Sequence, residues 1–184
     1  MKQKLKSLAF AASMTLSGIT GAQAEGQGLL DTIIERGSLN CTGHNGSYLG
    51  FAEVDAKGAW QGFDIEFCKA LATAILGSPD KANIVPISWA QRFPAIQSGD
   101  IDVIIKVTGW TMTRDTELGL QYSRPYFIGP FYVMSKTELK AKSVKDLDGG
   151  VFCVNAGTTI ERVLTDYMET NGIKYESLSF EKGE

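Results

Sequence analysis

DIEFCKALATAIL at residues 64–76 and NIVPI at residues 83–87 are the neighbouring stretches that decide the fold. The first has one apolar stripe at helical spacing and is ended by Gly77 and Pro79, so it predicts an amphipathic helix. The second is short and β-branched, which predicts a strand. The stripe consists of Ile65, Cys68, Leu71, Ala72, Ile75 and Leu76.

The flanking segments continue this alternation. Residues 38–42 and 101–105 are predicted strands, and residues 89–97 are a predicted helix that Ser88 caps. Pro94 should kink or break that helix, because proline lacks an N–H and clashes with the preceding turn. The order strand, helix, strand, helix, strand predicts a parallel sheet with crossover helices, which is the α/β class.

The outer parts of the chain carry a second group of elements. A helix around residues 29–36 precedes the first strand and stops at Gly37. Residues 121–134 are aromatic and strand-like but interrupted by two prolines, and we interpret them as a crossover. The last predicted elements are a short helical turn at 144–148, a strand at 151–155, a helix at 158–170 and a strand at 174–180.

Residues 1–24 have the features of a cleaved signal peptide. Three lysines precede a short apolar run at 8–16, and Ala22-Gln23-Ala24 forms an A-x-A cleavage site. The run is shorter than the roughly 20 residues of a membrane-spanning helix. A buried first helix is the alternative, but the segment shows neither caps nor an amphipathic face. The sequence therefore predicts export to the periplasm and a mature chain that starts at Glu25.

The charge balance argues against a nucleic-acid partner. The chain has 18 basic and 21 acidic residues, and removal of the three leader lysines leaves 15 against 21, a net charge of -6. Phosphate binding requires the opposite sign. The single histidine and the absence of a CxxC pair give no support for a metal site, and no cofactor is predicted.

Three cysteines remain: Cys41, Cys68 and Cys153. An exported chain meets an oxidising compartment, so a disulfide between Cys41 and Cys68 is one hypothesis. Small buried apolar side chains without a disulfide are the other.

Two loops have residues suited to anion binding. At Asn155–Glu161 a strand ends, Gly157 turns the chain and Thr158 caps a helix whose free N–H groups favour a carboxylate. At Thr108–Arg114 an arginine with nearby hydroxyls follows a predicted strand, where open α/β sheets place their ligands. An ordinary strand–helix turn and a solvated loop arginine are the alternative interpretations. Tyr48, Phe51 and Trp89 could wall a pocket or could simply be core residues.

Five motifs occur in order along the chain: Gly62–Ile65, Arg92–Val103, Thr111–Arg114, Tyr122–Tyr126 and Gly157–Thr159. Together they resemble the family 3 periplasmic solute-binding proteins of polar amino acid importers. The general L-amino acid subgroup is the one that Leu39-Asn40-Cys41, Phe67-Cys68 and Trp110-Thr111 with Arg114-Asp115 resemble most. The resemblance implies a two-lobed type II periplasmic binding protein-like α/β fold. It implies lobe one at residues 25–123, a hinge crossing at 124–128 and the start of lobe two at 129–184. The implied function is binding of a free L-amino acid in an interlobe cleft and its delivery, by a monomer without enzymatic activity, to the membrane permease of an ABC importer.

The resemblance also implies roles for individual residues. Arg114 corresponds to the arginine that binds the ligand α-carboxylate, and Thr111 to the hydroxyl beside it. Thr158 and Thr159 form the helix start in lobe two. The remaining expected contacts are Asn155 facing the site, Trp89 as a wall residue, and Tyr48 with Asn45 on the covering loop. Gly109 stands where many relatives have a serine or threonine, so one polar contact is missing at that ligand-site position.

Other expectations concern alternatives and the C-terminus. Some relatives resemble dehydratases acting on cyclohexadienyl or arogenate-type substrates, and His44 would be the candidate acid or base. A loop histidine without a role is the simpler interpretation, and a chemosensory role stays open. The acidic partner of the ligand α-amino group would lie beyond Glu184. We therefore expect the chain to be C-terminally truncated, with an incomplete second lobe, and to bind amino acids at most at millimolar affinity on its own. An unusually small mature protein is the alternative.

Overall fold

The computed structural model describes residues 28–181, so the predicted signal peptide lies outside the described residues. The helices are α1 (Leu29–Arg36), α2 (Phe63–Leu76), α3 (Arg92–Ser98), α4 (Met112–Thr116) and α5 (Thr159–Asn171). The strands are β1 (Leu39–His44), β2 (Glu53–Val54), β3 (Trp60–Gln61), β4 (Ala82–Ile87), β5 (Gly150–Asn155) and β6 (Tyr175–Phe180). None of the helices within residues 28–181 is long and apolar enough to cross a membrane.

The first sheet pairs β1 with β4 in parallel, as the sequence predicts, and α2 forms the crossover between them. The pairing runs from Leu39 opposite Ala82 to His44 opposite Ile87. β1 therefore continues two residues beyond the predicted strand end at Thr42. This extension places His44 at the carboxyl edge of the sheet, where parallel α/β sheets carry their ligand sites.

Residues 101–105, which were predicted to be a strand, do not form a full strand. The segment contacts β1 through one parallel bridge, between Cys41 and Val103. The Thr42 hydroxyl accepts from the Ile105 amide and donates to its carbonyl, both at 2.9 Å. A side chain therefore occupies both backbone groups that would otherwise continue the ladder.

The helix predicted at residues 89–97 begins later, at Arg92. The Ser88 hydroxyl accepts from the Gln91 amide at 3.2 Å and so caps the turn that precedes α3. Pro94 is the third residue of α3, in the first turn, where its missing N–H would have had no helical partner. The predicted kink is therefore wrong.

One core lies between α1, α2 and the first sheet. Its buried members are Ile33, Leu39, Cys41, Cys68, Ala72 and Ile105. Within it, Cys41 on β1 and Cys68 on α2 are joined in a disulfide with Cα atoms 6.2 Å apart. The disulfide links the sheet to the helix that covers it. Cys153 is exposed and free.

A second parallel pair has a separate core. β5 and β6 run in parallel from Gly150 opposite Tyr175 to Asn155 opposite Phe180, and α5 is their crossover. Phe152, Met168 and Ile173 form the buried cluster between α5 and this sheet. The strand, helix, strand order predicted for this part of the chain is confirmed, with β6 beginning at Tyr175.

Residues 121–136 contain no regular element. The strand-like composition of residues 121–134 does not produce a strand, because Pro125 and Pro130 each remove a backbone donor from any ladder. The interpretation of this segment as a crossover stays a prediction. Several large apolar side chains of this segment are exposed, including Ile128, Tyr132 and Met134.

Candidate functional site

Two cavities open beside the turn that joins β5 to α5. The aromatic cavity, about 160 Å³, is lined by His44, Asn45, Gly46, Ser47, Tyr48, Trp89 and Asn155. The cationic cavity, also about 160 Å³, is lined by Thr111, Thr113, Arg114, Thr158, Thr159 and Arg162. Eight of the nine site residues expected from the resemblance line one cavity or the other, and the ninth, Gly109, contacts Arg114.

Arg114 lies at the centre of the cationic cavity. Its Nη1 donates to the Gly109 carbonyl at 2.7 Å and to the Thr159 hydroxyl at 2.9 Å, and its Nη2 lies 3.3 Å from the Gly157 carbonyl. The guanidinium also sits 4.8 Å from the centre of the Phe93 ring. Burial lowers the pKa of Arg114, and the nearby Arg162 adds to that lowering, but the group stays charged at neutral pH. The site therefore holds a partly desolvated cation, and the three acceptors of its hydrogen bonds within residues 28–181 are neutral oxygens.

Gly109 has a packing reason to lack a side chain. A Cβ at this position would lie 3.0 Å from the Thr159 hydroxyl oxygen. That distance is shorter than an ordinary van der Waals contact, so any residue with a Cβ would push Thr159 away from Arg114. The glycine thus removes one possible polar contact and permits the approach of Thr159 to the guanidinium.

Threonine hydroxyls cap both helices of this cavity. Thr111 accepts from the Arg114 amide at 3.2 Å at the start of α4, and Thr158 accepts from the Glu161 amide at 3.2 Å at the start of α5. The predicted capping of α5 by Thr158 is therefore confirmed. The Glu161 carboxylate reaches the Gly157 amide at 2.8 Å, one residue before the capping position. The α5 N-terminus is thereby fixed beside Arg114.

Three aromatic rings wall the other cavity. His44 stacks on Tyr48 with ring centres 5.1 Å apart, and Trp89 meets both rings edge-on. Trp89 and His44 are buried, whereas Tyr48 is at the surface. The sequence left open whether Trp89 is a core residue or the wall of a pocket. Its ring is both, because it is buried and also lines the cavity.

Lys106 lies beneath this aromatic wall and is fully buried. Its ammonium donates to the Gly43 carbonyl at 3.2 Å and sits 4.7 Å from the centre of the Trp89 ring. Burial lowers the pKa of Lys106 to about 7, and the positive charge of Arg92 contributes to that lowering. A lysine directly after the predicted strand at residues 101–105 was the available sequence signal, and its burial is visible only in the structure.

Arg92 is a buried residue beside the two cavities, and its contacts could not be inferred from the sequence motif that contains it. It is 1% exposed, donates through Nη1 to the Trp89 carbonyl, and donates through Nη2 to the Gly157 carbonyl at 3.1 Å. Its guanidinium sits 4.2 Å from the Phe93 ring centre. Arg92 and Arg114 therefore converge on one carbonyl of the β5–α5 turn and join that turn to the first sheet region.

The loop that carries Gly109 and Arg114 is anchored from the segment predicted as the hinge. The Tyr126 hydroxyl accepts from the Val107 amide at 3.2 Å and donates to Oδ1 of the buried Asp64 at 3.1 Å. Val107 has a φ of 38°, a conformation that is unfavourable for a β-branched residue. Tyr126 thus supplies a fixed partner at the strained position.

No group of three or more metal-ligating side chains occurs within residues 28–181. The polar side-chain groups of the two cavities are amides, hydroxyls, one indole N–H, one imidazole and two guanidiniums. The chemistry they offer is hydrogen bonding and anion pairing.

Comparisons with known proteins relate the chain to bacterial solute-binding proteins. Residues 42–179 match the family of bacterial extracellular solute-binding proteins, family 3. The chain is 42% identical over 183 residues to the general L-amino acid-binding periplasmic protein AapJ of Rhizobium johnstonii, a match that spans 98% of this chain and 52% of that protein. The chain therefore spans about half the length of the curated relatives it matches.

Two solved structures are similar to the chain. One is an ABC transporter periplasmic binding protein from Brucella ovis with glutathione bound, with a TM-score of 0.72 and 37% identity over 83% of this chain and 48% of that one. The other is the ancestral amino acid-binding protein AncCDT-1, a precursor of cyclohexadienyl dehydratase, with a TM-score of 0.72 and 31% identity over 84% of this chain and 66% of that one.

Proposed function

The chain belongs to the bacterial extracellular solute-binding proteins of family 3, and from that premise we propose that it binds an L-amino acid and delivers it to the permease of an ABC importer. Its fold is the α/β fold of type II periplasmic binding proteins. The name of AapJ, a general L-amino acid-binding periplasmic protein, supports this substrate class and a periplasmic location.

Arg114 is the observation that carries the proposal. Two neutral carbonyls and one hydroxyl accept its hydrogen bonds, at the start of a 13-residue helix. A ligand carboxylate would replace neutral acceptors with a charge-assisted pair and would also meet the free N–H groups of α5. The gain in electrostatic energy favours a carboxylate over a neutral ligand at this position.

The division into lobe one at residues 25–123, a crossing at 124–128 and lobe two from residue 129 belongs to the same proposal. Its support is the presence of two parallel strand pairs with separate cores, on either side of the irregular segment. Ligand binding would then occur where Arg92 and Arg114 meet the β5–α5 turn.

A calorimetric titration of the full chain with the common L-amino acids, extended to tens of millimolar, tests the ligand class. The matched control is the α-amide of each ligand, such as L-alaninamide, which keeps the shape and removes the carboxylate. We expect heat of binding from one or more amino acids and none from their amides. Equal binding of acid and amide, or no binding of any amino acid, contradicts the proposal.

Export is tested by N-terminal sequencing of the protein from the periplasmic fraction. Cleavage at Ala22-Gln23-Ala24 gives a chain that begins at Glu25. An intact Met1 chain confined to the cytoplasm contradicts the signal peptide prediction. Light scattering of the same material tests the expected monomer.

Binding without turnover is the proposed activity, and dehydration of a cyclohexadienyl substrate is the rival. Burial, followed by the charge of Lys106, lowers the pKa of His44 to about 3, so this imidazole is neutral at neutral pH and does not act as an imidazolium general acid. AncCDT-1 is itself described as an amino acid-binding protein. Conversion of prephenate or arogenate to an aromatic product by the purified chain would favour the rival.

A further inference from the structure

Val107 holds a backbone conformation that its own side chain disfavours. Its φ is 38°, and within residues 28–181 only one other non-glycine residue, Lys140, has a positive φ. A β-branched side chain clashes with the backbone in this left-handed region, so the local chain alone would favour an extended conformation. Contacts from elsewhere in the fold must therefore keep Val107 in place.

The Tyr126 hydroxyl is the contact that reaches the Val107 backbone. It accepts from the Val107 amide at 3.2 Å and donates to Oδ1 of Asp64 at 3.1 Å. Asp64 is 1% exposed, so water competes little for its carboxylate oxygens. A hydroxyl that donates to a carboxyl group is polarised and becomes a better acceptor, and Asp64 therefore strengthens the bond to Val107.

The ring of Tyr126 is held against α2. It stacks on Phe67 with ring centres 5.0 Å apart, and its centre lies 6.0 Å from that of Phe63. Asp64 belongs to the first turn of the same helix. The hydroxyl therefore has a fixed position relative to α2, and it holds Val107 only while the segment around Tyr126 stays against this helix.

The conformation of Val107 decides where the following residues lie. On one side, the Lys106 ammonium is fixed by its bond to the Gly43 carbonyl at 3.2 Å. On the other side, two residues along, the Gly109 carbonyl accepts from Nη1 of Arg114 at 2.7 Å. A rotation about the N–Cα bond of Val107 would move Gly109 and leave Lys106 in place. The guanidinium would then lose one of its acceptors.

We propose that Tyr126 is a positioning residue for the carboxylate site. Its hydroxyl holds Val107 in the left-handed conformation, and Val107 in turn keeps the Gly109 carbonyl on the Arg114 guanidinium. This inference rests on the proposed function, in which Arg114 binds the ligand carboxylate. Tyr126 also lies in the proposed crossing at residues 124–128. A movement of the crossing that withdraws the hydroxyl would release Val107 and weaken the carboxylate site, so the two are coupled in both directions.

Tyr126→Phe removes the hydroxyl and keeps the stacked ring. We expect it to weaken the binding of each common L-amino acid that the wild-type chain binds by about fivefold, the lower end of typical coupling between sites. The loss should be the same for all of them, because they share the α-carboxylate. Calorimetry extended to tens of millimolar measures it. Tyr132→Phe is the matched control, since that side chain lies in the same irregular segment and is 86% exposed.

Val107→Gly separates positioning from packing. Glycine adopts the left-handed conformation without strain, so the hydroxyl is no longer needed to hold it there. In the Val107→Gly background, Tyr126→Phe should therefore weaken binding less than about twofold, and the double-mutant cycle reports the difference. An equal loss in both backgrounds overturns the proposal, because a hydroxyl that only stabilises the fold would act equally in each.

Hydrogen exchange of the Val107 amide gives a readout that needs no ligand. Tyr126→Phe removes the acceptor of this amide, so its exchange should become at least about tenfold faster, with no change in Tyr132→Phe. The Ile105 amide, which donates to the Thr42 hydroxyl, should keep its rate and shows that the effect is local. Unchanged exchange of the Val107 amide overturns the proposal even if Tyr126→Phe weakens binding.

The same measurements distinguish this inference from the proposed function. If no amino acid binds the wild-type chain, the proposed function is overturned together with the effect on affinity, and exchange still decides whether Tyr126 holds Val107. If Tyr126→Phe does not fold, exchange in the wild-type protein decides. A protected Val107 amide then supports the proposal, and an unprotected one overturns it.

Discussion

The aromatic and cationic cavities have the same volume but walls of opposite chemistry. The first is formed by rings and neutral polar groups above a buried lysine, and the second by two arginines and four threonine hydroxyls at a helix start. The difference teaches that cavity size does not decide what a site binds. Burial lowers the pKa of His44 and of Lys106 beside one cavity, while partial exposure leaves Arg114 in the other available to an anion.

Trp89→Ala is expected to have the largest effect on the aromatic cavity. The Trp89 ring contacts His44, Tyr48 and Lys106, and its loss should lower the free energy of unfolding by about 3–5 kcal/mol. Urea denaturation measures the change. Trp110→Ala is the control, since that ring is 56% exposed. Equal destabilisation by the two substitutions would show that Trp89 does not support the cavity.

Arg114→Ala is expected to affect the cationic cavity through ligand binding. Removal of the cation from a desolvated carboxylate pair should weaken amino acid binding by about 2–5 kcal/mol. Because the wild-type chain is expected to bind no tighter than about millimolar, calorimetry extended to tens of millimolar should detect binding by the wild type and none by Arg114→Ala. Arg162→Ala, which alters the same cavity at a side chain that is 58% exposed, should cost less than about 1 kcal/mol. Equal amino acid affinity of Arg114→Ala and Arg162→Ala would show that Arg114 is not the partner of the ligand carboxylate.

Thr158→Ala should produce a smaller loss that is confined to the helix start. The hydroxyl caps α5, and substitution of such a cap costs about 0.5–2 kcal/mol of stability. Thr158→Ser keeps the hydroxyl and is the matched variant. Thermal unfolding of both should show a lower Tm for the alanine variant only. A cap without energetic importance would leave the two variants indistinguishable.

Asp64→Asn should reveal a pH dependence on the aromatic side of the site. Burial raises the pKa of Asp64 from 3.8 to about 6, against the opposing hydrogen bond from Tyr126. A raised pKa means that the folded protein holds this proton more tightly. The contribution to stability is therefore complete below pH 3.8 and is lost as the pH rises through about 6.

The stability of Asp64→Asn relative to wild type should accordingly increase between pH 4 and pH 8, by on the order of 1 kcal/mol after solvent screening. Urea denaturation at both pH values measures it, with Asp80→Asn at an exposed position as the control. A stability difference that does not change with pH would show that Asp64 does not titrate in this range.

Elements with a strong local pattern were predictable from sequence. The apolar stripe of α2, the glycine stop after α1 and the alternation around β5, α5 and β6 all depend on neighbours within a few residues, and the structure agrees with them. Segments that depend on distant partners were not predictable. Residues 101–105 become a single bridge because the Thr42 hydroxyl occupies their backbone groups, and the sequence carries no sign of that contact.

The sequence by itself therefore determined the α/β class, the family resemblance and the residue types suited to a carboxylate. Only the tertiary structure decided which of those residues share a cavity and which groups keep their charge. Lys106 and His44 look like ordinary polar residues in the sequence, yet burial lowers the pKa of each. The physical reason is that desolvation depends on everything packed around a group in three dimensions, whereas a pattern along the chain records only its neighbours.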